Sequence, residues 1–208
     1  MIKSLELKVV DGKLETDEAS FIKLLKKDIG ALLQSYQPKP GDVINNIEYD
    51  PLSAEIMGSL DPIQLQAMFF TAYGFNYSEV AEKTGIGKRR LSGKLSIVYK
   101  ELFYRSEEYD NRLNAALIYW HAYPQLFPRE GIRQTSVQEI NYSVIEKLSN
   151  ARSDKTIGEE LQSANENPVS SYTNRAMLEL EKKLPLASHR KISAALYFKQ
   201  GVLYVAKG

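Results

Sequence analysis

Two stretches of this chain state one pattern twice, and an internal repeat constrains a fold more tightly than any single motif does. Tyr77-Ser-Glu-Val-Ala-Glu-Lys-Thr-Gly-Ile-Gly-Lys-Arg-Arg-Leu91 reads as a short helix, a tight turn and a second helix. Asp154-Lys-Thr-Ile-Gly-Glu-Glu-Leu161, followed by Asn167-Pro-Val169, reads the same way. A similar closing segment follows each, Asn114-Ala-Ala-Leu-Ile-Tyr-Trp120 in the first and Ser193-Ala-Ala-Leu-Tyr-Phe198 in the second. The offset is 77 positions from Val80 to Ile157 and 79 from Ala116 to Ala195. A self-similar unit at that distance implies two small domains of one kind, not one large core.

Length alone leaves one domain or two open for 208 residues, and the repeat favours two. With 43% hydrophobic and 25% charged residues the composition is that of an ordinary globular chain, neither disordered nor membrane-embedded. The net charge of +1 makes no global case for nucleic acid, because a whole-chain sum hides segregation of sign between faces. There is no cysteine, which excludes disulfides, thiolate nucleophiles and cysteine metal sites and fits a reducing compartment. The opening Met1-Ile-Lys-Ser-Leu-Glu-Leu-Lys-Val-Val10 lacks the apolar core of a signal peptide. No apolar run approaches the roughly 20 residues needed to span a bilayer, so the expected location is cytoplasmic, with no membrane partner.

Periodicity divides the chain into residues 1–58, an N-terminal segment and linker, 59–128, a first helical domain, and 129–208, a second. Leu5 to Val9 alternates apolar and charged before Asp11-Gly12, which predicts a strand entering a turn. From Asp17, Phe21, Leu24, Leu25, Ile29, Leu32 and Leu33 form one helical stripe. Residues 37–58, punctuated by Pro38, Pro40, Gly41 and Pro51, read as a linker with one short helix. Asp61-Pro62 opens the first domain as an N-cap and first helical residue. Helices are then expected from there to Gly74, at 78–84, 88–103 and 108–122, and in the second domain at 136–148, 155–161, 168–183 and 188–200. The β-prone tail Val202-Leu-Tyr-Val205 is a candidate to pair with the N-terminal strand.

A helix-turn-helix needs a short buttressing helix, a turn that sets a steep angle, and a following helix with one face outside. Val80 and the small Ala81 suit the packing, Gly85 suits the turn, and Gly158 takes the place of Ala81 in the second copy. Leu91 and Val169 are the expected anchors of the two exposed helices. Each copy resembles the C-terminal DNA-binding domain of LuxR/FixJ-type transcription regulators, a four-helix relative of sigma-factor region 4. Glu79-Val-Ala81, Gly85-Ile86, Leu91 and Lys100-Glu-Leu102 carry the resemblance in the first copy. Thr156-Ile-Gly158, Leu161, Val169 and Lys183-Leu184 carry it, in degenerate form, in the second. The fold it implies is mainly α, two tandem four-helix LuxR-like helix-turn-helix domains behind a small N-terminal strand and helix segment. It also implies that the first half of each third helix enters the major groove of double-stranded DNA, and that helix four supplies dimer packing. A homodimer is one outcome, and joining of the two repeats within one chain is the other.

The matching positions in the first copy are Lys88, Arg89, Arg90, Ser92, Gly93 and Lys94. Arg and Lys address guanine edges or phosphates, and Gly93 removes bulk where a backbone approaches closely. From Tyr77 to Arg105 there are seven positive residues against three negative; from Arg152 to Lys183 there are five against six. The second copy therefore offers polar candidates, Asn167, Ser170, Ser171, Tyr172 and Asn174, with one extra residue before Val169 and a weak phosphate attraction. Solvated basic side chains are the plain alternative for the first set, and a structural or dimerising repeat for the second.

Trp120, Tyr119, Tyr197 and Phe198 suit core or dimer packing better than a base-stacking platform. Gly85-Ile-Gly-Lys-Arg lacks the spacing of a phosphate loop. His121 and His189 stand far apart, and no nucleophile, carboxylate pair or metal constellation is evident, so no cofactor and no enzyme are expected. The expectation is a sequence-specific transcription regulator using the basic helix of the first repeat. The alternative is a protein-interaction regulator that binds another transcription factor or RNA polymerase on the same scaffold.

Overall fold

The computed structural model describes residues 9–10, 13–14, 38–102, 109–127, 132–162 and 169–206. Among these, short strands β1 (Val9–Val10) and β2 (Lys13–Leu14) pair antiparallel, as do β3 (Val43–Ile44) and β4 (Ile47–Glu48). Helix α1 (Pro51–Gly58) follows, and then four helices: α2 (Pro62–Ala72), α3 (Tyr77–Thr84), α4 (Lys88–Leu102) and α5 (Asn111–Ala122). The second copy is α6 (Glu139–Ser149), α7 (Asp154–Gln162), α8 (Val169–Glu181) and α9 (Arg190–Lys199). Strands β5 (Thr135–Val137) and β6 (Leu203–Val205) flank it. The protein is mainly helical, and the same order of four helices occurs twice.

Two sequence expectations are corrected here. Residues 135–137 were expected to lie partly in a helix beginning at Ser136, but they form β5, and α6 starts at Glu139. The tail pairs with β5 in parallel, Thr135 opposite Leu203 and Val137 opposite Val205, and not with the N-terminal strand. Parallel neighbours cannot be joined by a hairpin, and here the whole α6–α9 unit forms the crossover. The helix expected from Asp17 lies outside the described residues.

Local chemistry sets the first unit. Asp61 caps α2 reciprocally with Gln64: Gln64 N–H donates to Asp61 Oδ1 at 2.8 Å and Asp61 N–H to Gln64 Oε1 at 2.9 Å. Leu65, Met68, Phe69, Phe70 and Ala72 make α2 buried around most of its circumference. Trp120 and Tyr119 of α5 close over it; Trp120 is 1% exposed and donates its indole N–H to Ala72 O at 3.0 Å. The helix-four aromatics Trp120 and Tyr119 are therefore core residues, which removes them as a base-stacking platform. The buried side chains of both copies form one continuous cluster, and α5 touches both α6 and α9. The separate cores implied by the repeat are thus fused.

The fusion is reciprocal. His189 N–H donates to Gly74 O at 2.6 Å, and Asp110 N–H donates to Ala151 O at 2.8 Å. Gly74 and Ala151 are equivalent, both in the left-handed region (φ 89° and 57°) after the first helix of their copy. Asp110 and His189 are equivalent too, each the residue before a fourth helix. The turn of each copy thus receives the fourth-helix start of the other, the signature of an isologous contact. At Gly74 an added Cβ would lie 2.6 Å from Ser193 Oγ, so close approach as well as backbone angle requires glycine there.

The β3–β4 hairpin ties the other ends of the fourth helices. Asn45 and Asn46 both have positive φ (55° and 63°), the geometry of a two-residue hairpin turn that asparagine tolerates. Asn45 Nδ2 donates to Pro124 O at 3.1 Å, just beyond α5, and Asn46 Nδ2 to Gln200 O at 2.9 Å, just beyond α9. Gln200 Nε2 completes the link with a 2.8 Å bond to Phe127 O.

Burial at the junction pushes the His189 imidazole down from 6.5 to about 4, with the Arg112 cation adding to the effect. A depressed histidine binds fewer protons folded than unfolded, so its contribution is complete above pH 6.5 and is lost as pH falls toward about 4. The expected loss across that window is on the order of 2–3 kcal/mol from this group. Denaturant titrations from pH 7 downward should show the slope, and His189→Gln should flatten it; an unchanged slope in that variant would place the proton uptake elsewhere.

Candidate nucleic-acid interface

Helix α3 is short because its ends are specified. Asn76 accepts from Ser78 N–H at 2.8 Å and Glu79 N–H at 3.1 Å, while Glu79 accepts from Asn76 N–H at 2.8 Å. At the other end Gly85 takes φ 71°, and Ile86 N–H donates back to Ala81 O at 3.1 Å. A Cβ on Gly85 would meet nothing, so it is the left-handed angle alone that asks for glycine. Val80 and Ala81 face the core. Three residues, Gly85 to Gly87, separate α3 from α4, the length of a helix-turn-helix turn.

Leu91, Leu95 and Val98 bury one side of α4 completely against its own unit. Helical phase then fixes what stays outside. Arg89, Ser92, Gly93, Ser96, Ile97 and Lys100 are separated by alternating steps of three and one, three and one, three, so they share one face. All but Ile97 are small, polar or basic, and Lys88 and Arg90 are exposed beside them. Nothing lies within 4 Å of a Cβ built on Gly93. Helix interiors lose stability at glycine, so this residue serves no packing need of the fold.

Lys94 differs from its neighbours. It is partly buried and pairs with Asp61, the N-cap of α2. Partial burial of Asp61 works against its ionisation, but the Lys94 ammonium and the Gln64 and Ile63 amides outweigh it and hold the carboxyl below its usual range. Lys94 therefore fastens α4 to α2, which fixes the presentation of the exposed face. Ser96, Ile97 and Lys100 were not among the sequence candidates, though the phase of Leu91, Leu95 and Val98 already pointed to them.

The second copy keeps the scaffold and changes the surface. The connection between α7 and α8, residues 163–168, lies outside the described residues. Tyr172 is 3% exposed, so the expectation that it contacts DNA is corrected: its side chain is packed into the core. Asn174 is exposed as expected, and Arg175, not among the candidates, is exposed beside it. Ser170 and Ser171 lie in the first turn of α8, and Asn167 lies outside the described residues.

Four acidic residues of this copy are engaged internally. Glu181 pairs with Arg190 at 3.1 Å and Glu179 with Lys183 at 2.7 Å, while Asp154 pairs with Lys191 and Glu160 with Lys147. Thr173 Oγ1 also donates to Asp154 Oδ1 at 3.1 Å, holding α8 against the start of α7. Among the described residues no group of three or more His, Asp or Glu side chains is placed to hold a metal ion. No described helix is long and apolar enough to cross a membrane. No family model matches the chain, and no curated protein or solved structure is significantly similar to it.

Because Gly93 sits in a helix interior with open space beside it, Gly93→Ala should raise the unfolding free energy by about 0.5–1 kcal/mol. Equilibrium urea unfolding measures this directly, and destabilisation would mean that glycine has a structural task at this position.

Proposed function

We propose that the protein binds double-stranded DNA as a sequence-specific transcription regulator, using the outer face of α4. The observation that carries this reading is the exposed stripe from Arg89 to Lys100, held rigidly by three fully buried side chains and the Lys94–Asp61 pair. Such a face has the means for both halves of recognition. Lys88, Arg90 and Lys100 offer charge to phosphates, while Arg89 and Ser92 offer hydrogen bonds to base edges and Ile97 offers an apolar contact for a thymine methyl. Open space at Gly93 permits close approach of the helix to the duplex. The three-residue turn and the resemblance of Tyr77 to Leu102 to LuxR/FixJ-type domains support the same reading.

A second reading, a regulator that docks another transcription factor or RNA polymerase, rests on Leu178, which is 54% exposed on α8. Salt separates the two, since contacts to phosphate weaken steeply as counterions compete.

On the first reading, Arg89→Ala and Arg90→Ala each reduce affinity for duplex DNA by about tenfold or more, a loss of roughly 1–3 kcal/mol. Their unfolding free energies should stay within about 0.5 kcal/mol of the parent, as expected at exposed positions. Fluorescence-polarisation titration at fixed salt reads the affinity, and two variants that bind as well as the parent would exclude α4 as the contact surface.

A further inference from the structure

We infer that a single chain is a built-in dimer that takes an inverted-repeat DNA duplex with two unequal half-sites, α4 on one and α8 on the other. The inference rests on the reading of α4 as a DNA-contacting helix and adds the architecture of the target.

If the two copies were related by translation along the chain, the turn of one would meet the fourth helix of the next, and the equivalent groups at the outer ends would be left facing away. Instead both equivalent bonds are made within one chain, His189 to Gly74 and Asp110 to Ala151. The neighbouring residues follow the same exchange. Arg152, after Ala151, stacks its guanidinium 5.0 Å over the Tyr109 ring, and Asn76 N–H, beyond Gly74, donates to Ser188 Oγ at 2.8 Å. The fourth helices α5 and α9 touch each other. Exchanged contacts of this kind are made by a two-fold relation. Two reading helices related by a two-fold meet the two strands of a duplex in opposite directions, so their half-sites are inverted, about one helical turn or a multiple apart.

The half-sites differ because the reading faces differ. Aligned on their buried positions, Leu91, Leu95 and Val98 of α4 correspond to Thr173, Met177 and Leu180 of α8, so Ser92, Gly93 and Ser96 correspond to Asn174, Arg175 and Leu178. Each face carries an exposed apolar residue, Ile97 at 47% and Leu178 at 54%, at adjacent and not equivalent positions. The polar positions differ. Lys94 is held by Asp61 and its counterpart in α8 is the buried Ala176, whereas Arg175, the counterpart of Gly93, is exposed. Asn174 and Arg175 thus give α8 an adenine- and guanine-type reading pair that α4 lacks at these positions. Four of the six acids that made the second copy negative by count, Asp154, Glu160, Glu179 and Glu181, are paired within the fold.

In vitro selection of the full chain on duplexes carrying about three helical turns of randomised sequence tests this. The expected product is two conserved blocks of different sequence in inverted orientation, bound by one chain as judged by sedimentation of the complex. The double variant Asn174→Ala with Arg175→Ala should erase one block, and Arg89→Ala the other. Blocks in direct orientation, a single block, or two chains per site would overturn the built-in dimer while leaving α4 as a DNA-contacting helix. Failure to enrich any sequence, with no retention of duplex at low salt, would overturn that reading and this inference with it.

Discussion

Two backbone hydrogen bonds, His189 to Gly74 and Asp110 to Ala151, hold together what the repeat would otherwise leave as separate units. Each satisfies the N–H of a residue standing just before a helix, which no bond within that helix can reach. Each also depends on a left-handed residue whose carbonyl is turned toward the other copy. Around these two bonds the buried side chains of both units merge into one core, and the β3–β4 hairpin clamps the far ends of α5 and α9. A change at the junction therefore acts on both units together.

The exposed helices inherit their placement from this frame. Helix α4 is fixed by Leu91, Leu95 and Val98 below and by the Lys94–Asp61 pair at its side, so its outer face is presented by a rigid support. Helix α8 is fixed by Tyr172, Ala176, Met177 and Leu180 and by the Thr173–Asp154 bond. In both cases one surface is committed to the fold and the opposite one is left without a structural task, and in α4 glycine at position 93 even lowers intrinsic helix stability. That division is what a binding helix requires.

The first copy was legible because its signals are local: Asn76 and Glu79 cap α3, Gly85 ends it, and the spacing of Leu91, Leu95 and Val98 sets the phase of α4. The second was less so. Tyr172 reads as outward when Val169 is taken as the anchor of α8, whereas the buried positions are Tyr172, Thr173, Ala176, Met177 and Leu180, and such a shift of register exchanges inner and outer faces. Thr135-Ser-Val137 gave no strand signal of its own, since its partner lies at Leu203 to Val205, beyond four helices. The charge count misjudged the second copy for a similar reason: Lys147, Arg190 and Lys191 pair with its acids but lie outside the stretch counted. Pairings made across the chain are invisible to any sum along it.

Amide hydrogen exchange at Asp110 and His189 tests the fused, two-fold architecture most directly. Neither amide has a partner within its own helix, so protection can come only from the junction. Both should exchange as slowly as core amides of α2 and α6, with opening free energies within about 1 kcal/mol of global unfolding. Rapid exchange at either amide while α2 and α6 remain protected would contradict the account and leave two units that are merely adjacent.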